Sequence, residues 1–100
     1  MAITIDISSG RVDAGETKLL KVTPKDEDDA AIVLVTLAAV FTAPDGEETT
    51  KAIADFSLAD GVYSIAFKFT SAGLWGILIT VTDAFGYTEI ESGTVRVHAL

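Results

Sequence analysis

The sequence predicts an all-β domain, a seven-stranded sandwich of two antiparallel sheets formed by residues 1–100 as a single unit. Three observations point to it. Runs of β-branched and aromatic residues alternate with a period of two, turn residues separate those runs at fairly even intervals, and helix-length apolar patterns are missing with one ambiguous exception. The exception is Ala30 to Phe41, whose alanine-rich apolar character also suits a buried helix. Five β-branched residues there (Ile32, Val33, Val35, Thr36, Val40), followed by Pro44-Asp45-Gly46, favour a strand.

Ile3, Ile5 and Ile7 alternate with smaller or polar residues to give the first strand, which Ser8-Ser9-Gly10 ends. Ala14-Gly15-Glu16 turns into a second strand, Thr17 to Thr23, with Leu20 and Val22 inward. Pro24 and the acidic run Asp26-Glu27-Asp28-Asp29 form an exposed loop before the third strand, Ile32 to Thr42. Pro44-Asp45-Gly46 supplies the fixed and positive φ angles of a tight turn. Glu47 to Ala54 is a more polar edge strand, and Val62 to Phe69 places Tyr63, Ile65, Phe67 and Phe69 on one face. Leu74 to Thr82 does the same with Trp75, Ile77, Ile79 and Val81. Asp83-Ala84-Phe85-Gly86 then turns into the last strand, Tyr87 to His98, with Val95 and Val97 inward.

One hundred residues suit one hydrophobic core. Without cysteine the chain has neither disulfides nor thiolate ligands, as expected of a protein folded in a reducing cytoplasm. No segment has the length of a membrane span, and the first residues lack the basic start and apolar core of a secretory signal. Met1 leading straight into a strand is expected of a whole small protein, and equally of an excised domain with an added Met. The net charge of −8 disfavours nucleic acid and anionic membranes as partners. Yet 49% of residues are hydrophobic, so the charges must crowd into loops and edges.

The second half of the chain carries Asp60-Gly61-Val62-Tyr63, then Phe67, Gly73, the Ile79/Val81 alternation, Gly86 and a closing strand from Ser92 to Val97. This order resembles the filamin-type repeat of immunoglobulin-like domains over about the last 40 residues. It implies an immunoglobulin-like sandwich in which Gly61 permits an unusual turn and Tyr63 buries its ring with its hydroxyl near backbone. The pattern is also similar to that of small immunoglobulin-like proteins of tailed-phage particles. That likeness implies a virion component, a capsid decoration, neck or tail protein made in the host cytoplasm.

Residues for catalysis are sparse. The single histidine, His98, lies near the end of the last strand, so no nucleophile–base pair can be assembled around it, and no glycine-rich phosphate loop or zinc spacing occurs. The expectation is a non-enzymatic protein without cofactors. The acidic run is the one candidate for a hard cation, with Asp26, Asp28, Asp29 and Asp83 as weak calcium ligands. Sandwich topology brings Asp55, Asp60 and Asp83 toward that run. A solvated loop tip is the plainer reading, because four adjacent acids match no calcium-loop spacing.

The sharper signal is apolarity on both faces of neighbouring strands. With Val33, Val35, Leu37, Ala39 and Phe41 facing the core, Ile32, Leu34, Ala38 and Val40 point outward beside Leu74 and Leu78. Such a patch exceeds what monomers usually expose and is expected to meet a protein partner, a virion protein or a second copy of the chain. The competing readings are a covering segment or a bulge that shifts the strand phase. Phe85 at its hairpin tip is either a further docking anchor or packed on Tyr87. The functional expectation is therefore a structural or interaction protein that docks through an apolar sheet face. The alternative is a peptide- or carbohydrate-recognition module of a larger surface or secreted protein, with peptide added as a strand along Glu47 to Ala54.

Overall fold

A computed structural model describes the backbone of residues 2–7, 11–26, 28 and 30–99, and the side chains among these from residue 11 onward. Ser8-Ser9-Gly10, Glu27, Asp29 and the side-chain alternation of Ile3, Ile5 and Ile7 lie outside what it describes. The strands are β1 (Ala2–Ile7), β2 (Val12–Asp13), β3 (Thr17–Lys25), β4 (Leu34–Thr42), β5 (Glu48–Ala52), β6 (Ser57–Ala59), β7 (Val62–Lys68), β8 (Gly73–Asp83) and β9 (Thr88–His98). A 3₁₀ turn, Ile53–Asp55, separates β5 from β6.

The strands form a four-stranded sheet in the order β1-β3-β7-β6 and a five-stranded sheet in the order β2-β9-β8-β4-β5. Each of the seven expected strands is present, and β2 and β6 are short additions. β2 runs parallel to the end of β9 through Val12↔Val97 and Asp13↔His98, so one pairing departs from the all-antiparallel expectation. The chain crosses between sheets after β1 and β2, which places the short β2 beside β9, and again after β3, after β5 and after β7, the crossings of an immunoglobulin-like sandwich.

The core sits between the two sheets, where inward residues interdigitate. Leu20 and Val22 of β3, Tyr63, Ile65 and Phe67 of β7, Leu37, Ala39 and Phe41 of β4, and Trp75, Ile77, Ile79 and Val81 of β8 are all buried. The rings of Phe41 and Phe67 stack with centroids 3.8 Å apart, while Trp75 meets Phe67 and Phe69 edge-on. The indole N–H of Trp75 donates to the Ser71 carbonyl at 2.8 Å, so the ring is buried without stranding its polar atom.

Two glycines answer definite backbone demands. Asp60 and Gly61 take φ of +51° and +78° to join β6 to β7 in two residues, a geometry that suits Asp-Gly. At Gly73, a Cβ would lie 2.6 Å from a Pro44 side-chain carbon, so only glycine lets β8 begin against that turn.

The start of β4 departs from expectation. The strand begins at Leu34 rather than Ile32, and its pairing with β8 shifts register between Leu34 and Thr36. Val35 is the extra residue of this bulge, and the strand's phase reverses there. Leu34 is therefore buried, 5% exposed, whereas Val33 and Val35 are 72% and 58% exposed. This corrects the placement of all three: Leu34 is a core residue and no part of an outer surface, and the two valines are not core. The Tyr63 hydroxyl accepts the Leu34 backbone N–H at 3.0 Å, satisfying a buried donor where the ladder is irregular.

Candidate functional site

Two surfaces stand out, and the register fixes the first. Residues facing away from the core on the five-stranded sheet align in rows across the strands. Ala52, Ala38, Thr80 and Ile90 form one row, and Thr50, Val40, Leu78 and Ser92 the next. Glu48, Thr42, Gly76 and Thr94 follow, with Leu74 and Arg96 beyond them. Leu74, Leu78 and Ile90 are exposed, and Ala38 and Val40 are half-buried by their neighbours. Across these rows the charged residues are Glu48 on β5 and Arg96 on β9, at opposite sides of the four long strands, although 22% of the whole chain is charged. Threonine and small aliphatic residues make up most of the remainder.

Of the residues expected on an outer apolar surface, the fold brings Ala38, Val40, Leu74 and Leu78 together there and excludes Leu34. Ile32 precedes the strand and is half-buried against the core. Ile90 belongs to the face but was not expected on it, because the polar sequence around it, Thr88-Glu89-Ile90-Glu91-Ser92, hides a single outward isoleucine.

The second surface is a cleft at one end of the sandwich, between the loop joining β3 to β4 and the hairpin joining β8 to β9. It has a volume of about 800 Å³ and is lined by Asp26, Asp28, Ala31, Ile32, Val33, Asp83, Ala84, Phe85, Tyr87, Thr88 and Glu89. Carboxylates hold both walls. Asp26 Oδ1 accepts the backbone N–H of Asp28 and of Ala30, both at 2.9 Å, closing the loop. Asp83 Oδ1 accepts the N–H of Phe85 at 2.9 Å and of Tyr87 at 3.0 Å, closing the hairpin. Both are side-chain-capped turns of the kind aspartate favours. Phe85, 86% exposed, and Tyr87, 69% exposed, project from the hairpin into solvent rather than packing on the core.

The fold therefore brings Asp26, Asp28 and Asp83 to one cleft, while Asp55 and Asp60 are not among its lining residues and Asp29 lies outside the described residues. Among the described residues no group of three or more His, Asp or Glu is placed to hold a metal ion. Asp26 and Asp83 each commit one carboxylate oxygen to two backbone amides as turn caps. At the opposite end of the 43 Å long molecule, the Arg11 guanidinium donates to Asp13 Oδ1 at 2.7 Å and holds that carboxyl below the usual carboxylate range. His98 pairs with Asp13 there, far from the cleft.

No curated protein matches the sequence. Several solved structures share its fold. The chitinase ChiW of Paenibacillus sp. FPU-7, a bacterial cell-surface-expressed multi-modular enzyme, superposes with a TM-score of 0.63 at 18% identity over 92% of this chain. This chain spans only 8% of that enzyme's length. CopC of Methylosinus trichosporium OB3b matches at a TM-score of 0.66 and 11% identity, covering 98% of this chain and 95% of CopC. The PKD domain of the human VPS10 domain-containing receptor SorCS2 matches at 0.57 and 16% identity, over 98% of this chain and 72% of that one. The same architecture thus serves as a small module of a large surface enzyme, as a receptor domain and as nearly a whole small protein. None of these three is a filamin or a phage protein. At the level of sequence, the model of the YtkA-like family matches residues 2–80, and the chain belongs to that family.

Proposed function

We propose that this chain is a non-catalytic interaction module that docks on a protein partner through the outer face of its five-stranded sheet. The observation that carries the reading is the near absence of charge on that face in a chain of net charge −8. Solvent-facing strands normally alternate apolar-in and polar-out. Here Leu74, Leu78 and Ile90 lie outward with Ala38 and Val40 between them, and Glu48 and Arg96 mark the borders. An apolar centre with charge at the rim is the arrangement of a protein–protein contact.

The likeness to a module of a cell-surface enzyme supports a setting within a larger surface assembly. Nothing on the molecule speaks for the virion setting in particular. Light scattering of the purified chain tests the reading. Deprived of its partner, the face is expected to associate weakly with a second copy as concentration rises. Leu78→Glu together with Ile90→Glu should restore a monomer without lowering the melting temperature. A wild-type chain that stays monomeric at high concentration, and does not bind an apolar dye on this face, would overturn it.

A further inference from the structure

We propose that the cleft between the β3–β4 loop and the β8–β9 hairpin is a second binding site, one that takes a cationic peptide segment with apolar side chains beside its charges. The site is independent of the sheet face. Its volume of about 800 Å³ lies within the range of roughly 300–1,000 Å³ that ligand sites occupy. Six of the eleven described residues that line it are apolar or aromatic: Ala31, Ile32, Val33, Ala84, Phe85 and Tyr87. Phe85, Tyr87 and Val33 leave most of their surface in water, and an occupant that covered them would recover the hydrophobic term that folding does not.

Charge selects the occupant. Among the described residues the lining carries Asp26, Asp28, Asp83 and Glu89 and no Lys, Arg or His. Glu89 makes no ion pair among the described residues. Aromatic rings beside carboxylates suit a guanidinium or ammonium group, which the rings attract through their faces and the carboxylates through charge. A neutral sugar is served less well, because the side-chain donors in the lining are the hydroxyls of Tyr87 and Thr88. Asp26 and Asp83 hold the walls in place before anything binds, which lowers the ordering cost of binding.

The test uses the whole chain and a fluorescein-labelled synthetic peptide that alternates arginine with leucine, beside its glutamate–leucine counterpart and a soluble chito-oligosaccharide. The arginine peptide should raise anisotropy, lose affinity as salt is added, and shift amide resonances at 28, 31–33 and 83–89. Phe85→Ser is expected to weaken it about tenfold or more, as lost hot-spot aromatics do. Glu89→Gln should weaken it severalfold and flatten the salt dependence. Leu78→Thr, on the separate sheet face, should leave it unchanged. Because Phe85 is so exposed, its variant should melt as the wild type does. Failure of the arginine peptide to bind, equal binding of the glutamate peptide, binding of the sugar instead, or resonance shifts confined to the Leu74–Leu78–Ile90 face would each overturn the proposal. The last outcome would leave the sheet-face reading standing, and a monomeric chain that binds the peptide in the cleft would do the reverse.

Discussion

β4 and β8 lie side by side in the five-stranded sheet and bury similar side chains, yet one declares its two faces and the other does not. In β8 the inward positions Trp75, Ile77, Ile79 and Val81 are all large, and glycine or threonine holds three of the outward ones, Gly76, Thr80 and Thr82. In the approach to β4 and its first two residues, every position from Ala30 to Val35 is apolar, so alternation has nothing to alternate with. Period two assigns a face only where the two faces differ in polarity. Where they do not, one inserted residue reverses the phase and leaves no trace in hydropathy.

The largest effect separating the two strands should come from leucines that look equivalent in the sequence. Leu34→Ala empties a core position and is expected to cost about 2–5 kcal/mol, the range for buried leucine truncations. Leu78→Thr changes a side chain on the outer face and should stay within about 0.5 kcal/mol. Urea denaturation of both variants measures the difference. Similar losses at the two sites would mean that the bulge does not turn Leu34 inward.

That contrast also marks how far the sequence could be read. The seven longer strands, the inward sets of β7 and β8 and the end of β4 from Leu37 onward were legible, because apolar residues recur at every second position of those three strands, whereas the short β2 and β6 were not. The crossing pattern that makes β4 and β8 neighbours followed from strand order, and so Ala38, Val40, Leu74 and Leu78 fell on one face as expected. Leu34 did not, since its inward turn depends on a bulge and on a hydroxyl 29 residues away. Ile90 was hidden among polar neighbours. The cleft was half visible: topology placed Asp83 near the acidic run, but the roles of Asp26 and Asp83 as turn caps rest on hydrogen bonds that no residue pattern specifies.

A smaller effect should sharpen the account of the bulge. Tyr63→Phe keeps the buried ring and removes the oxygen that accepts the Leu34 N–H. A buried amide left without a partner costs about 1–3 kcal/mol, so the variant should lose stability in that range. Amide exchange at Leu34 should quicken relative to Leu37, which follows the bulge. Unchanged stability and exchange would mean that water or another acceptor takes the place of the hydroxyl.

The smallest effect belongs to the residue that creates the difference between the strands. Val35 is 58% exposed, so Val35→Thr should keep stability within about 0.5 kcal/mol although it puts a hydroxyl on a valine in the most apolar stretch of the chain. A matching change at Val81 of β8, which is fully buried, would bring that hydroxyl into the core, where burying a polar group without a partner costs about 1–3 kcal/mol. Thermal melts of the two variants compare the same chemistry on adjacent strands. A tolerant Val35 and an intolerant Val81 follow only if the bulge faces its extra residue to solvent, and a loss at Val35 equal to that at Val81 would restore the unbroken alternation that the start of β4 lacks.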